Sequence, residues 1–433
     1  MIMLAFLAQW TLTPADSVGM QGWFPSLALD ASDNPHIAYG NEDNNKLAYI
    51  HWDGFSWQKQ EFDFGTGPDA WFTSIDLDSQ GRPHIASVTY LALPRIDIWY
   101  TYWDGSAWHS EKVDTVNGLR GVWMFVSIAI DSQDRPHIAY YANGAGTLRY
   151  AYWDAVWQVQ TVDPVPSVGQ GCSIALDSQD RPHISYYDST NGDLKYAYWD
   201  GSSWQVQTVE STGDDVGAYT SIAVDSMDRP HIAFSDVTNT RLRYTCWDGA
   251  AWQTQTVQSS IDVLYPSIAL DSLDRPYIAY RFDASDRLRC AYWDGAAWQR
   301  ETVDDVGYPG FKGTDRYIRI GSDNCPRIAY HRETPEDLFY AVKDCNPLYE
   351  HEEDEATRGI ELRSMGRGLY LFVPNQARIS LDLYDASGRF VQNLYAGILT
   401  PGEYTFVPKT ETEGVYLAIL RHPGGTKTVK VVR

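Results

Sequence analysis

The sequence has little positive charge and no long apolar run. Lys and Arg number 34 against 57 Asp and Glu, which gives a formal net charge of -23. Such a field repels phosphate backbones, so it argues against nucleic acid as a partner. The only apolar candidate, Met1–Ala8, is far shorter than the roughly 20 residues that cross a bilayer. It also has no Lys or Arg before it, so it makes a poor signal peptide. We expect a soluble monomer without a membrane span.

Recognisable catalytic and cofactor motifs are also missing. The sequence has no Ser-His-Asp order, no H-E-x-x-H motif, no phosphate-cradling Gly loop and no D-x-[DN]-x-[DN]-G calcium loop. We therefore expect no cofactor, no metal and no catalytic set. Aromatic residues, in contrast, are abundant, with 17 Trp and 29 Tyr, and this composition favours strands over helices.

A repeat of about 48 residues dominates the chain. Its anchoring prolines lie 46 to 53 residues apart, at Pro35, Pro83, Pro136, Pro182, Pro230, Pro276 and Pro326. In the fourth unit, four short strands, a to d, are predicted over 173–177, 183–187, 194–199 and 204–209, separated by Asp, Gly, Pro and Ser turns. Four-stranded units of this length stack radially, so we predict an all-β, seven-bladed β-propeller.

The seventh unit indicates how the ring closes. It contains strands a, b and c and then stops without the W-x-x-x-x-V segment of strand d. A matching segment, 8–13, precedes the first unit. Pairing this N-terminal strand with strand c of unit seven would satisfy the open edge, and we predict that it closes the ring.

Five histidines share one repeat position, directly after the anchoring proline. They are His36, His84, His137, His183 and His231. Equivalent atoms in different blades cannot converge on one ion at ligand distances near 2 Å. We expect each ring to hydrogen-bond the aspartate at the end of strand a, as His183 would bond Asp177. The Trp residues of W-D-G-x-x-W are expected to pack between blades.

The composition changes after Cys345. An acidic block, 350–355, is expected to be a solvated linker, and the following residues alternate apolar and polar as strands do. We predict three segments: a propeller over 1–345, a linker over 346–359, and a C-terminal β-sandwich over 360–433. The five cysteines are expected to be one disulfide, Cys325 with Cys345 across the b–c hairpin of unit seven, and three buried thiols.

The motifs resemble two known families. The recurring D-S-x-D-R-P-H-I-A-Y and W-D-G-x-x-W resemble BNR-like repeats of bacterial surface propellers over 1–345, without the Asp-box of sialidases. The tail motifs Y-D-x-x-G-R, P-G-x-Y and G-V-Y-L, with the basic end 427–433, resemble the C-terminal sorting domain of the type IX secretion system, or the similar FlgD Ig-like module. This resemblance implies the type IX machinery as a partner and a secreted or outer cell-surface location.

Variable loops on a rigid scaffold commonly carry binding, so the predicted site lies where the units differ. Aromatic residues cluster where strand a begins, near the central channel. The predicted ligand-binding residues are Trp23, Trp71, Trp123, Tyr219, Tyr265, Tyr308, Arg120 and Arg316. Aromatic faces with neighbouring arginines would suit sugar rings. The alternative is that these aromatics only pack against adjacent blades.

Three functions remain open at this stage. The first is a secreted or cell-surface propeller that binds a ligand, with carbohydrate favoured. The second is a polysaccharide lyase or hydrolase, for which Tyr308 with Lys312 or Arg316 is the only candidate set. The third is a structural or protein-binding display module. Enzyme activity is the less favoured of these interpretations.

Overall fold

The structure is a computed structural model, and it describes most of the chain. The described residues are 10–344 apart from 19–21, 42, 65–69, 91–94, 119–124, 260–262, 283–286, 306, 309–315 and 334–335, and 361–432 apart from 366–367, 374–376, 386–389, 408–414 and 423–424. The chain forms two compact units. The larger is Trp10–Lys343, and the smaller contains the strands from Glu361 to Val432. The predicted linker, 346–359, lies outside the described residues.

The larger unit is the predicted seven-bladed propeller. Six blades are four-stranded antiparallel sheets whose strands follow chain order from the innermost outwards. Their bounds are β2 Trp23–Leu29, β3 Pro35–Asn41, β4 Lys46–Trp52 and β5 Trp57–Phe62; β6 Ala70–Leu77, β7 Pro83–Tyr90, β8 Arg95–Trp103 and β9 Trp108–Asn117; β10 Val126–Ile130, β11 Pro136–Ala142, β12 Thr147–Asp154 and β13 Val156–Asp163; β14 Val168–Leu176, β15 Pro182–Asp188, β16 Asp193–Trp199 and β17 Trp204–Glu210; β18 Val216–Val224, β19 Pro230–Asp236, β20 Arg241–Trp247 and β21 Trp252–Ser259; β22 Val263–Leu270, β23 Pro276–Phe282, β24 Arg287–Trp293 and β25 Trp298–Asp304.

Blade 7 is assembled from both ends of the unit. Its strands are β26 Gly307–Tyr308, β27 Ile318–Ile320, β28 Pro326–Glu333, β29 Glu336–Lys343 and, outermost, β1 Trp10–Asp16. The register joins Trp10 to Lys343 in antiparallel pairing. Closure by the N-terminal strand, predicted from residues 8–13, is therefore confirmed, with the strand running to Asp16.

Strand β1 makes the same two contacts as the outer strands of blades 3 and 6. The indole N–H of Trp10 donates to Glu301 of blade 6 at 3.2 Å, as Trp204 of blade 4 donates to Gln160 of blade 3 at 3.0 Å. Asp16 accepts a 2.5 Å hydrogen bond from Tyr39 of blade 1. Because these contacts cross to both neighbouring blades, β1 is integral to the ring.

A ring of serines joins the innermost strands. Each side-chain oxygen accepts a backbone N–H from the next blade at 3.0 to 3.1 Å. We call these residues the inner serines: Ser26, Ser74, Ser127, Ser173, Ser221 and Ser267. Blade 7 has Tyr317 at this position, and there the carbonyl of Arg316 accepts from Leu27 of blade 1 at 2.8 Å. The inner strands are thus bonded around the complete circle.

Strand-end aspartates organise the a–b turns. In blade 4, Asp177 accepts backbone N–H groups of Gln179 and Arg181 at 2.9 Å. His183 lies 3.4 Å from Asp177 through Nε2 and 2.5 Å from the Tyr196 hydroxyl through Nδ1. Blades 2, 3 and 5 repeat the His–Asp contact at 3.2 to 3.4 Å, whereas blade 1 has 4.0 Å. The bond predicted for these histidines is confirmed in blades 2 to 5, whereas in blade 1 the His36 ring bonds, among the described residues, only the Tyr49 hydroxyl, at 2.6 Å.

Buried His36 predicts that acid destabilises the propeller. Burial and the nearby His51 lower the pKa of His36 to about 4, from the 6.5 of an exposed ring. The unfolded chain therefore binds the extra proton first, and stability present above about pH 6.5 is lost as the pH falls towards 4. For His36 alone the loss is about 3 kcal/mol. Urea unfolding between about pH 7 and 4 should show a smaller loss in His36→Gln than in wild type. An equal loss in both proteins would contradict a role of His36 in the loss of stability. The control is His109→Gln, at an exposed histidine.

The second Trp of the W-D-G-x-x-W motifs packs between blades, as predicted, whereas the first Trp contacts the second within its own blade, as Trp199 contacts Trp204. Trp204 of blade 4 meets the ring of Tyr150 in blade 3 edge-on, with ring centroids 5.1 Å apart. Trp252 and Trp298 repeat this contact with the tyrosines of the preceding blades at 5.2 Å. Aromatic edge contacts of this kind add to the stabilisation from buried area. The outer part of the ring is therefore held by side chains as well as by sheet bonds.

The smaller unit has two antiparallel sheets that share one hydrophobic core. One sheet orders its strands as β30 Glu361–Met365, β31 Gly368–Val373 and β34 Gly402–Phe406; the other as β33 Phe390–Leu399, β32 Ala377–Asp385, β35 Val415–His422 and β36 Gly425–Val432. Leu371 of the first sheet and Leu381 and Ala418 of the second are fully buried in that core. This is the predicted β-sandwich.

Cysteine pairing remains a prediction. Cys325 is buried at the start of β28, but Cys345 lies outside the described residues. Cys172 and Cys290 are buried, and Cys246 is half-buried. In the part of the chain that the structure describes, no helix has the length and apolar character needed to cross a bilayer.

Candidate functional site

The loop ends of the innermost strands converge on the central channel. In five blades, the residue two positions before the inner serine has a left-handed backbone with φ between 52° and 60°. Four of these are aromatic and the fifth, in blade 4, is Gly171. Such a backbone is costly for an aromatic residue, so the surrounding contacts must compensate.

Hydrogen bonds explain the left-handed backbone. It turns the carbonyl group towards the next blade, where a side chain meets it. Thr73 donates to the carbonyl of Phe24 at 2.9 Å, and Thr220 donates to that of Gly171 at 3.0 Å. The carbonyl groups of Phe24 and Gly171 therefore join neighbouring blades.

Five aromatic rings fill this end of the channel. Successive ring centroids lie 4.3 to 6.4 Å apart. We call this group the aromatic plug: Phe24, Phe72, Phe125, Tyr219 and Tyr265. All five side chains are buried. The predicted ligand residues Tyr219 and Tyr265 thus lie mainly within the core, where they present little ring surface to a ligand.

Arg316 crosses the channel from blade 7. Its Nη1 donates to Asp76 of blade 2 at 3.2 Å, and its Nη2 donates to the carbonyl of Ile174 in blade 4. Asp76 stands at a position where five other blades have alanine. The Arg316 side chain is only 13% exposed. This predicted ligand residue is therefore engaged in bonds across the channel.

The structure describes three of the other five predicted site residues. Trp23 is half-buried, with its ring centroid 6.1 Å from Phe24 and 5.3 Å from His331. Tyr308 pairs with His331 through the backbone, and Trp71 pairs with Val88. Trp123 and Arg120 lie outside the described residues. Among the predicted residues whose side chains the structure describes, Trp23 contacts the plug at Phe24. The platform as a whole remains a prediction.

A cleft opens instead between blades 4 and 5 on the variable-loop face. Its volume is about 390 Å³. We call it the inter-blade cleft, lined by Gln170, Gly171, Tyr187, Ser189, Asp215, Ala218, Tyr219, Val237 and Leu264. Blade 4 has Gly171 where five other blades place a plug aromatic, so it contributes no ring between Phe125 and Tyr219. Gly171 lines the cleft, which therefore lies where the plug lacks a ring.

The cleft combines an aromatic face with ordered polar groups. The Tyr187 hydroxyl donates to Asp215 Oδ1 at 2.5 Å, and Gln170 Nε2 donates to Ser189 at 3.0 Å. The Thr238 hydroxyl accepts the backbone N–H of Asp215 at 2.8 Å, which holds the backbone of that residue in place. Burial and the Asp215 carboxylate raise the pKa of Tyr187 well above its usual 10, so its hydroxyl remains protonated and can donate.

Sequence reasoning missed Tyr187, Asp215 and Gln170. The available signal was Gly171, because five of the other six units have an aromatic residue at the plug position. It marked blade 4 as a unit that departs from the repeat. Among the described residues, no group of three or more His, Cys, Asp and Glu side chains is arranged to hold a metal ion.

No family model and no curated protein sequence matches this chain significantly. Solved structures with a similar fold include an ulvan lyase of polysaccharide lyase family 25, at a TM-score of 0.52 and 12% identity over 75% of this chain and 96% of that chain. A fucose-specific lectin of Aleuria aurantia, with a six-bladed propeller, has a TM-score of 0.46 and 13% identity over 65% of this chain and 95% of that chain. At such identities the lyase shows only that the fold is a propeller.

Proposed function

We propose that this protein binds carbohydrate in the inter-blade cleft. The observation that carries the proposal is the half-buried Tyr187 ring beside fixed polar groups in a cavity of about 390 Å³. That volume lies in the range of small-molecule sites, about 300 to 1,000 Å³. Sugars offer apolar ring faces and hydroxyl edges, which need aromatic surface and hydrogen-bonding groups together.

The polar groups of the cleft match the needs of a neutral sugar. Asp215 accepts hydrogen bonds from hydroxyl groups, while Gln170 and Ser189 can donate and accept. Val237 is exposed and Leu264 half-buried, so both add apolar surface at the cleft. The described lining contains no Lys or Arg, which favours an uncharged ligand over a uronate or a sulfated sugar.

The same chemistry argues for binding rather than elimination at this cleft. A polysaccharide lyase needs a base that accepts a proton near its working pH and a group that neutralises the uronate carboxylate. Tyr187 has a raised pKa and remains protonated, and no cation lines the described cleft. The fold likeness to the ulvan lyase therefore supplies no catalytic residues here.

A glycan array followed by titration calorimetry tests the proposal. Tyr187→Ala should weaken binding of the best glycan by up to about tenfold, because it removes the aromatic face, worth about 0.5 to 1.5 kcal/mol. Tyr187→Phe keeps the ring and should retain more of the affinity. Asp215→Asn should also weaken binding, while its melting temperature stays near that of the wild type.

Phe55→Ala is the matched control, because Phe55 is an exposed aromatic residue in a c–d turn at the opposite ends of the strands. Normal glycan binding by Tyr187→Ala would rule out this cleft as the site. If the wild-type protein binds no glycan, the proposed function itself is wrong.

We also propose that the protein acts outside the cell. The basis is the resemblance of the tail motifs to the type IX sorting domain and of the blade motifs to BNR-like surface repeats. The type IX machinery would then recognise the smaller unit. The propeller and its ligand site would be exported with it, to a secreted or cell-surface location.

A further inference from the structure

The a–b turns carry a second ring of contacts between blades. In four interfaces, a serine hydroxyl donates to an aspartate in the turn of the next blade at 2.5 to 2.8 Å, and blade 7 makes the same contact with blade 1. We call these contacts the turn clasps: Ser79 with Asp134, Ser132 with Asp180, Ser178 with Asp228, Ser226 with Asp274, and Ser322 with Asp33. Between blades 6 and 7, the backbone of Ser272 bonds Asn324 at 2.9 Å.

One interface lacks both halves of the clasp. Blade 1 has Ala31 at the serine position, and blade 2 has Gly81 at the aspartate position. Two more repeat residues are smaller here: Asn34 replaces the arginine of blades 2 to 6, and His51 replaces a residue that is tyrosine in most blades. Four departures from the repeat thus coincide at the junction of blades 1 and 2.

The departures leave a cavity of about 560 Å³, which we call the clasp gap. Ala31, Gly81, Asn34 and His51 all line it, together with Asp30. The interface between blades 2 and 3, which keeps its clasp, has a pocket of about 240 Å³. The gap is on the turn face, at the opposite ends of the strands from the inter-blade cleft.

Asp30 differs from its equivalents in one respect that matters for ligands. In blades 2 to 6 the strand-end aspartate pairs with the arginine four residues later and its side chain is 0% exposed. In blade 1 that arginine is Asn34, whose amide donates to Asp30 Oδ2 at 2.9 Å, and the Asp30 side chain is 26% exposed. The carboxylate is thus left without a cationic partner among the described residues.

No neighbouring group supplies the missing charge. Although burial raises the pKa of Asp30, hydrogen bonds from Asn34 and Ser32 hold it below its usual value, so the carboxylate is ionised. His36 is neutral near pH 7 because its pKa is lowered to about 4. Asp53 also lines the gap and is ionised, since backbone N–H groups of its turn lower its pKa. The gap is therefore acidic.

We propose that the clasp gap binds a guanidinium or alkylammonium group of a ligand, which takes the place that an arginine side chain holds in blades 2 to 6. The geometry of those blades defines the fit, with Arg135 Nε and Arg181 Nε donating to their aspartates at 2.6 to 2.7 Å. The half-buried Trp52 lines the same gap and offers a ring face that attracts cations. This site is independent of carbohydrate binding.

Titration of the full chain with ethylguanidinium chloride tests the site. Wild type should bind with a millimolar dissociation constant, and Asn34→Arg should lose binding because its own guanidinium fills the gap. Asn34→Arg restores the residue of five other blades, so we expect it to fold. Asp30→Asn should weaken binding at least about tenfold, since a charge-assisted hydrogen bond is lost. Asp200→Asn, in a c–d turn of blade 4, is the control.

The source of the ligand group is tested with a second probe, a capped Gly-Arg-Gly peptide. Tighter binding of the peptide than of ethylguanidinium supports a protein side chain, and equal binding supports a free guanidine or amine. Failure of wild type to bind either probe, or unchanged binding in Asn34→Arg, overturns the proposal. Tyr187→Ala should bind ethylguanidinium normally, so this outcome is separate from that of the glycan experiment.

Discussion

A chain that starts at residue 17 is expected to unfold much more easily than one that starts at residue 10. The longer chain keeps β1, which pairs with β29 and bonds blades 6 and 1 through Trp10 and Asp16. Loss of a buried Trp side chain alone costs about 3 to 5 kcal/mol, and the sheet bonds of seven residues are lost with it. Urea unfolding should therefore show a fall of at least about 4 kcal/mol.

The comparison between the two truncations isolates β1, because both lack residues 1–9. The shorter chain also exposes the edge of β29, so it should form oligomers on size-exclusion chromatography. Adding a synthetic peptide of residues 10–16 should restore part of the stability. If both truncations melt at the same temperature, β1 is not what holds the ring together.

Phe72→Ala should be the most damaging single change in the aromatic plug. The ring is buried and meets Phe24 at 4.6 Å and Phe125 at 5.4 Å, so its removal leaves a cavity at the channel. Substitution of a buried Phe by Ala costs about 3 to 5 kcal/mol. Thermal and urea unfolding of the variant measure this loss.

Phe72→Gly separates the cost of the cavity from that of the backbone. In an ordinary strand, Gly is less stable than Ala by about 0.5 to 1 kcal/mol. At Phe72 the φ of 57° favours Gly by about 1 to 2 kcal/mol, so Phe72→Gly should be at least as stable as Phe72→Ala. A clearly less stable glycine variant would contradict the left-handed backbone.

The fold was accessible from the sequence because each blade repeats its own signals. The a–b turn carries Asp and Pro, the c–d turn carries Asp-Gly, and the strands between them are β-branched and aromatic. The missing strand d of the last unit and the unpaired W-T-L-T segment at the start predicted the closure at β1. Both inferences depend on patterns within single strands and turns. Such patterns can be read along the sequence because consecutive strands pair with each other in these sheets.

The site was harder to predict because backbone conformation decides where its side chains lie, and the repeat pattern does not indicate that conformation. Tyr219 and Tyr265 stand at the loop ends of their strands, and only the left-handed backbone there turns them into the plug. Arg316 lies beyond a long loop, and nothing in the sequence indicates that it reaches blades 2 and 4. The departures at Gly171 and Gly81, however, are visible when the units are aligned.

The pairing of Trp10 with Lys343 determines how the propeller would respond to mechanical force. Pulling these two residues apart would unzip the β1–β29 ladder, breaking its bonds one pair at a time from that end. A load applied through Lys343 alone would act on β29, which β1 and β28 hold along both edges. A propeller tethered on its C-terminal side would therefore resist drag on a bound ligand better than one tethered at both ends.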